Sequence, residues 1–234
     1  MTSPFQQTAT ITKKFQLSSH VYEFTFQLLQ EIAFTPGQYA TFIIDNQTRR
    51  QYSFAAPCTS PKEFKIVVDV TPMGPGSKFF LEKNVGDEIE ILAPLGTFHL
   101  DIPTTPIVFI ATGTGIVPFK TMLEDYFLHY QLTTNNYELV LFWGLRHEED
   151  IFWNNLLDNW QQKYLNFHYS IILSKPGESW RGKIGHVTEH IQDEIQGLET
   201  HTFYLCGNRH MISDVKTDLL AHQVPEDYIK TEMF

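Results

Sequence analysis

Cysteine is scarce in this chain. Cys58 and Cys206 are the only two among 234 residues, and they form no C-x-x-C. That excludes a Cys-ligated iron–sulfur cluster or a four-cysteine zinc site within the chain, and two free thiols fit a reducing compartment. Positive charge is also in short supply: Lys and Arg number 17 against 27 Asp and Glu, a formal net charge of −10. Nucleic acid and anionic membranes are held through Lys and Arg, so neither is an expected partner. A local basic patch remains compatible with that balance, because net charge says nothing about distribution. No apolar run approaches the roughly 20 residues that span a bilayer, so no membrane insertion is expected. The opening "MTSPFQQTAT" has neither a charged n-region nor an apolar h-region, so no secretory leader and a cytoplasmic location are expected. Internal repeats and low-complexity tracts are missing too. His20, His99, His129 and His222 read as surface or satisfied residues, and no metal is expected.

Apolar residues, by contrast, make up 42% of the chain and charged ones 19%, which predicts a packed core. The length suits one large or two small domains. Aromatics reach 14%, a surplus that either lines a core or stacks on a ligand. Up to about residue 100 the chain reads as short strands. In "VYEFTFQL", Tyr22, Phe24 and Phe26 alternate with Glu23, Thr25 and Gln27. "GQYATFII", "RRQYSFAA", "EFKIVVDV" and "GDEIEIL" follow, separated by turn residues, as in an antiparallel barrel or sandwich. "GPGSKFFLEK" is the exception and reads as a loop feeding a short helix.

The pattern changes after "DIPTTP", which reads as a linker. Strands "PIVFIA", "ELVLFWG", "FHYSIILS" and "HTFYLCG" alternate with helical patterns. The clearest helix has apolar residues at 117, 119, 122, 123, 126, 127 and 130. Others are predicted over "EDIFWNNLLDNWQQ", "GHVTEHIQDEI" and "NRHMISDVKTDLLAHQ", and "YIKTEMF" closes the chain. Apolar strands alternating with amphipathic helices predict a parallel sheet covered on both faces. Domain boundaries are expected at 1–102 for the β domain and 103–234 for the α/β domain.

Ligands of open α/β sheets bind beyond the carboxyl ends of the strands. At the first such end, Gly113 and Gly115 let a backbone approach a phosphate, and Pro118 suits the first turn of a helix. A plain tight turn explains them equally well. At the next, Gly144 ends a strand and Arg146 suits a nucleotide phosphate or ribose, or else pairs with Glu148, Glu149 or Asp150. Asp150 is also placed to cap the following helix. Cys206 and Gly207 end the last long strand, where the cysteine is a small buried hydrophobe or packs on a flat heterocycle. In the β domain, Gly74, Gly76 and Ser77 precede the short helix, which reads as an anion site or a capped loop.

Taken in order, these pieces resemble the ferredoxin–NADP reductase-like flavoproteins. The family's R-x-Y-S signature stands here as Arg50-Gln51-Tyr52-Ser53. Its phosphate loop stands as "GPGS", and its G-T-G-x-x-P as Gly113 to Pro118. The strand-end cysteine–glycine is Cys206-Gly207, and the terminal E-x-aromatic is Glu232-Met233-Phe234. The match runs nearly the whole chain. It implies an antiparallel six-stranded FAD-binding barrel followed by a parallel-sheet α/β domain that binds NAD(P).

Residue by residue, the resemblance implies an FAD site of Arg50, Gln51, Tyr52, Ser53, Val68, Gly74, Pro75, Gly76, Ser77, Thr114 and Phe234. Arg50 contacts the pyrophosphate, and Tyr52 lies against the isoalloxazine. Ser53 hydrogen-bonds near its N5, and Phe234 covers the other face until nicotinamide displaces it. The NADPH or NADH site is implied to hold Gly113, Thr114, Gly115, Pro118, Gly144, Arg146, Ser174, Arg181, Cys206, Gly207 and Met211. Catalytic roles fall to Ser53, Cys206 and Glu232. Lys175 and Arg181 are candidates for a 2′-phosphate and tilt the reading slightly to NADPH.

The implied activity takes hydride from NAD(P)H and passes electrons singly to a ferredoxin, flavodoxin or similar soluble carrier, as a monomer. A reductase of free flavin or another small acceptor stays open, as does an electron-transfer subunit of a larger complex. One geometric demand follows. Strand alternation puts Arg50 and Tyr52 on one face and Ser53 on the other, so a single ligand touching all three requires the strand to bulge or end near Ser53.

Overall fold

The structure, a computed structural model, describes residues 4–71, 73–129 and 137–233. These fall into two compact units, one within Met1–Leu100 and Val117–His129, the other within Asp101–Ile116 and Tyr130–Phe234.

The first unit is a six-stranded antiparallel sheet. Its strands are β1 (Phe5–Gln16), β2 (Val21–Leu28), β3 (Tyr39–Ile43), β4 (Arg49–Ser53), β5 (Glu63–Asp69) and β6 (Glu88–Leu95), in the order β4-β3-β6-β1-β2-β5. The two ends of that order meet. Phe54 bridges Ile66, and Ala55 N–H donates to Lys65 O at 2.8 Å, which curls the sheet toward a barrel. The aromatic surplus fills the interior. Phe24, Phe26, Phe42, Phe54, Phe64 and Phe80 are all buried, and Phe26–Phe64 and Phe24–Phe80 lie 4.9 and 5.1 Å apart. Rings offset or tilted at such distances add contact energy beyond their burial.

One helix interrupts the strands, α1 (Pro75–Glu82), starting at Gly74 with Pro75 in its first turn. Proline costs nothing there, since its missing N–H would have had no partner. At the other end the Lys14 ammonium donates to Leu81 O at 3.0 Å and Lys83 O at 2.7 Å, placing a cation on the carbonyl terminus of the helix. The body of helix α2 (Ile116–His129) also packs in this unit, with Val117, Phe119, Met122, Leu123, Tyr126 and Phe127 buried as the spacing predicts. Position 130 of that pattern lies outside the described residues.

The second unit is a parallel sheet. Its strands are β7 (Ile107–Thr112), β8 (Leu139–Leu145), β9 (Phe167–Leu173), the two-residue β10 (Lys183–Ile184), β11 (Thr202–Gly207) and β12 (Ile229–Met233), in the order β10-β9-β8-β7-β11-β12. Successive residues of β7, β8 and β11 are buried, which requires cover on both faces. The chain runs outward from β7 through β8, β9 and β10, then returns to place β11 on the other side of β7. That reversal makes the carboxyl end of β7 a topological switch point.

Helices α3 (Asn154–Lys163) and α5 (Arg209–Ala221) stand where helical spacing was read. The continuous helix expected over "GHVTEHIQDEI" is instead a 3₁₀ turn, Val187–Glu189, and one turn of α4 (Ile191–Glu194). Val187, Ile191 and Ile195 are buried as the pattern requires, but His186 and Glu189 close a capping box around the first turn. β-branched side chains do little to carry a helix past it. Asp150 does not cap α3, whose cap position is Trp153. Its carboxylate accepts instead from His147 N–H at 2.8 Å.

Candidate functional site

In the first unit, β4 ends at Ser53, as a strand must if its two faces are to serve one ligand. Arg50 is exposed and donates through Nη1 to Arg49 O at 2.7 Å; Gln51 is exposed and donates through Nε2 to the Tyr39 hydroxyl at 3.2 Å. The Tyr52 ring is half-buried, edge-on to Phe80 at 5.0 Å and Phe42 at 5.6 Å. Burial pushes its hydroxyl pKa up to about 12, with Arg50 pulling weakly the other way. Tyr52 therefore stays neutral throughout the physiological range.

The start of α1 lies directly on this strand. A Cβ at Gly76 would stand 2.4 Å from the Tyr52 hydroxyl and 3.0 Å from Arg50 Cγ. Glycine lets the helix N-terminus come so close without displacing either side chain. The first turn of α1 carries no acidic residue, and its earliest N–H groups have no intrahelical acceptor. The Ser77 side chain neither caps the helix nor points away: it is buried and donates to Asp69 O at 3.0 Å, tying α1 to the end of β5. Val68 is buried in the barrel interior beside it, and Gly74 and Pro75 form the helix entry.

Ser53 is the odd member. It is 5% exposed, and its Oγ has no hydrogen-bond partner among the described residues. A buried hydroxyl left so costs about 1–3 kcal/mol. The cost is recovered if a ligand supplies the partner. A bare helix start against an arginine and a tyrosine, beside a buried unsatisfied hydroxyl, fits a flat ligand with a phosphate tail, as FAD is.

In the second unit, four carboxyl ends come together. Backbone register sets Thr112 beside Gly144, Ala111 beside Cys206, Cys206 beside Glu232 and Gly207 beside Met233. Gly113 to Gly115 form a 3₁₀ turn directly after β7, with Thr114 partly exposed between the glycines and Gly113 at φ +55°. A Cβ at Gly115 would meet Cys206 O at 2.2 Å, and one at Gly207 would meet Thr112 Oγ1 at 2.3 Å. Both glycines are thus required by backbone approach. Gly144 is bare for a different reason, since Val187 and Thr112 methyls press on it.

Cys206 is wholly buried, and burial first, then the Glu232 charge, raises its thiol well above the ordinary range. It is a neutral thiol, not a nucleophile. In the folded protein, iodoacetamide at neutral pH is expected to modify the half-buried Cys58 and leave Cys206 intact. Mass spectrometry of the alkylated chain checks this, and equal labelling of the two contradicts it.

Further out, Ser174 N–H donates to Leu145 O at 3.0 Å, and Lys175 N–H to Arg146 O at 2.8 Å. The Glu148 carboxylate accepts from Gly177 N–H at 3.0 Å, which holds its pKa below the usual value. Arg146 is exposed with no ion pair among the described residues. Arg181 is exposed too, but its guanidinium donates to Glu178 O and Trp180 O at 2.8 and 3.0 Å. Met211 is buried in the first turn of α5. Pro118 stands in α2, in the first unit, and Phe234 lies outside the described residues.

Three contributors were not read from the sequence. Thr112 Oγ1 accepts from Asn208 N–H at 2.9 Å, Asn208 Oδ1 caps α5, and the buried Trp143 indole donates to Gly113 O at 2.9 Å. Asn208 carries a signal, being a capping residue just after a glycine. Trp143 carries none. Among the described residues no three His, Cys, Asp or Glu side chains cluster as a metal site, and no helix is long and apolar enough to cross a membrane. His186 and His190 do stand four apart, but His186 caps a turn and His190 Nε2 lies 2.9 Å from Ile184 O.

An antiparallel sheet unit followed by a parallel one, each with a cradle at a helix start or strand end, is the arrangement of a flavin- and nicotinamide-nucleotide-binding class of protein. Residues 8–100 match the family described as an oxidoreductase FAD-binding domain, and residues 109–217 match the oxidoreductase NAD-binding domain. Ferredoxin–NADP reductase B of Sorangium cellulosum is 30% identical over 234 residues, 93% of each chain. The chain belongs to the ferredoxin–NADP reductase-like flavoprotein family. The anthranilate 1,2-dioxygenase electron transfer component of Acinetobacter baylyi is 33% identical over 210 residues, 89% of this chain and 60% of that one. The chain spans 60% of the length of several such curated relatives. An Amycolatopsis cytochrome P450 reductase structure shares the fold at a TM-score of 0.89 and 22% identity, covering 99% of this chain and 70% of that one.

Proposed function

We propose that this protein takes hydride from a reduced nicotinamide nucleotide onto FAD and releases electrons singly to a soluble carrier protein such as a ferredoxin or flavodoxin. Residues 1–102 form the FAD-binding part and 103–234 the NAD(P)-binding part, acting as a monomer in the cytoplasm. The buried, unpartnered Ser53 hydroxyl beside the Arg50–Tyr52–Gly76 cradle carries this reading. FAD, when bound, supplies the exchange between two-electron and one-electron chemistry.

The chain's residues do the rest. Arg50 and the N–H groups of Gly76 and Ser77 hold the pyrophosphate at the start of α1. Gln51 and Val68 line the strand, and Tyr52 gives the ring system an apolar edge. Ser53 would offer its hydroxyl as a hydrogen-bond donor to the ring system, keeping its proton. Gly113, Thr114 and Gly115 approach the nicotinamide nucleotide. Cys206 gives a neutral, polarisable contact and Glu232 a carboxylate near the transferring centre. Phe234 shields the flavin between turnovers. Ser174, Arg146 and Met211 hold the adenosine end.

Glu148 shifts the donor preference. Its carboxylate is fixed on the loop that carries Lys175 and Arg181, where it repels a 2′-phosphate. NADH is therefore the favoured donor. Charge distribution supports a protein acceptor at the first unit, which carries nine Lys and Arg against eleven Asp and Glu; the second carries eight against sixteen. An acidic carrier meets little long-range repulsion from the first. Relatives named as electron transfer components agree with that.

Stopped-flow mixing of the FAD-loaded protein with NADH and with NADPH tests the reading. Rapid bleaching of the visible flavin band is expected, faster with NADH. A protein that stays colourless after FAD addition sinks it.

A further inference from the structure

The hydrogen bonds around Ser53 are unevenly distributed. Its own hydroxyl has no partner among the described residues, while the two residues after it are held on every side. Phe54 N–H donates to Gln38 O at 3.0 Å, and Ala55 N–H to Lys65 O at 2.8 Å. Helix α2 takes both of their carbonyls. Thr121 Oγ1 lies 2.9 Å from Phe54 O and 2.9 Å from Val117 O, sharing its one proton between them. Lys120 Nζ donates to Ala55 O at 2.9 Å and to Glu124 at 2.9 Å.

Neither side chain is an ordinary helix-surface residue. Thr121 is 0% exposed. A buried threonine can satisfy itself on the carbonyl four residues back, so its approach to Phe54 O is additional. The Lys120 side chain is only 11% exposed, and burying an ammonium is costly unless it is paired. Apolar residues at both positions would pack the same face without that cost. What the two donors achieve is to pin the main chain where β4 stops.

The direction of the Ser53 Cα–Cβ bond depends on the backbone that leaves it. A hydroxyl that must meet a reacting ring needs placement to about half an ångström. We propose that Thr121 and Lys120 are positioning residues that aim the Ser53 hydroxyl by fixing the carbonyls of Phe54 and Ala55. This rests on the reading of Ser53 given above.

The experiment uses the full chain loaded with FAD, in five variants: Ser53→Ala, Thr121→Val, Thr121→Ser, Lys120→Met and the Ser53→Ala/Thr121→Val double. Thr121→Val keeps the volume and removes the donor. At saturating NADH it is expected to slow flavin reduction about 3- to 10-fold, the loss of one hydrogen bond's alignment, with KM for NADH unchanged. The visible circular dichroism of the bound flavin should move in the same direction as in Ser53→Ala. Thr121→Ser should restore rate and spectrum, and the double variant should be no slower than Ser53→Ala alone. Lys120→Met should show the same signature more weakly, and it decides the matter if Thr121→Val does not fold. Ser53→Ala slow with Thr121→Val and Lys120→Met at wild-type rate and spectrum overturns the positioning role alone. So does a double variant whose losses multiply, or a serine variant that fails to rescue. Ser53→Ala at wild-type rate overturns the Ser53 reading, and the positioning role with it.

Discussion

Ser53→Ala is expected to slow reduction of bound FAD by NADH about 10- to 100-fold, while the FAD-free protein becomes slightly more stable. The two effects share one cause. In the free protein the hydroxyl is buried without a partner among the described residues. Deleting it removes an unsatisfied polar atom at the cost of a very small cavity. Stabilisation of about 0.5–2 kcal/mol is expected in a denaturant titration of the FAD-free protein. In the proposed role, with FAD in place the same hydroxyl would serve a ring that gains negative charge during transfer, where a hydrogen bond contributes about 1.5–3 kcal/mol. Lost in the transition state, that is the stated drop in rate. FAD stoichiometry should hold, because Arg50, Tyr52 and the start of α1 are untouched. A destabilised free protein reducing FAD at the wild-type rate would remove Ser53 from the mechanism. Opposed signs are what separate a residue kept for function from one kept for packing.

What could be read from sequence was whatever is local. Alternation marked β2 and turn-bounded runs marked β3 to β6, while the twelve-residue β1 was not read as a strand; the apolar spacing of α2 named six buried residues, Val117, Phe119, Met122, Leu123, Tyr126 and Phe127, correctly. Glycines at strand ends were legible because close backbone approach leaves no room for a side chain there, as at Gly115 and Gly207. The helix read over "GHVTEHIQDEI" broke because spacing reports which face is buried and not whether the turns join. Asp150 was assigned to the wrong turn: it closes the 3₁₀ turn Glu148–Asp150, and its carboxylate reaches back to His147 N–H and not forward to α3, a choice of direction that residue type alone does not reveal. Tertiary hydrogen bonds left no trace at all. Thr121 to Phe54, Lys120 to Ala55 and Trp143 to Gly113 each join residues far apart in the chain. A threonine or lysine in an amphipathic helix gives no sign of a distant carbonyl. The orphaned Ser53 hydroxyl was equally invisible, being defined by what surrounds it.

Gly115→Ala is the substitution with the largest expected loss. The backbone of Gly115 is not left-handed, so alanine suits its φ and ψ, and the whole penalty is contact. The new Cβ would lie 2.2 Å from Cys206 O, 2.6 Å from Cys206 C and 2.9 Å from Gly207 Cα. All three are main-chain atoms, so no side chain can swing aside. Either the turn after β7 lifts or the end of β11 retreats, and overpacking of this kind costs about 1–3 kcal/mol. Retreat of β11 also carries Cys206 and Gly207 away from Thr112, and β12 follows through the pairing of Cys206 with Glu232. A displacement near 1 Å at groups that orient a reacting ring is worth about 100-fold in rate. NADH-driven reduction should fall by that order. Reduction by dithionite should be unchanged, since it needs no nucleotide, and FAD content should stay at wild type. Near-normal reduction by NADH would show that the turn relaxes freely, and that close approach of β7 and β11 is not what positions the nucleotide.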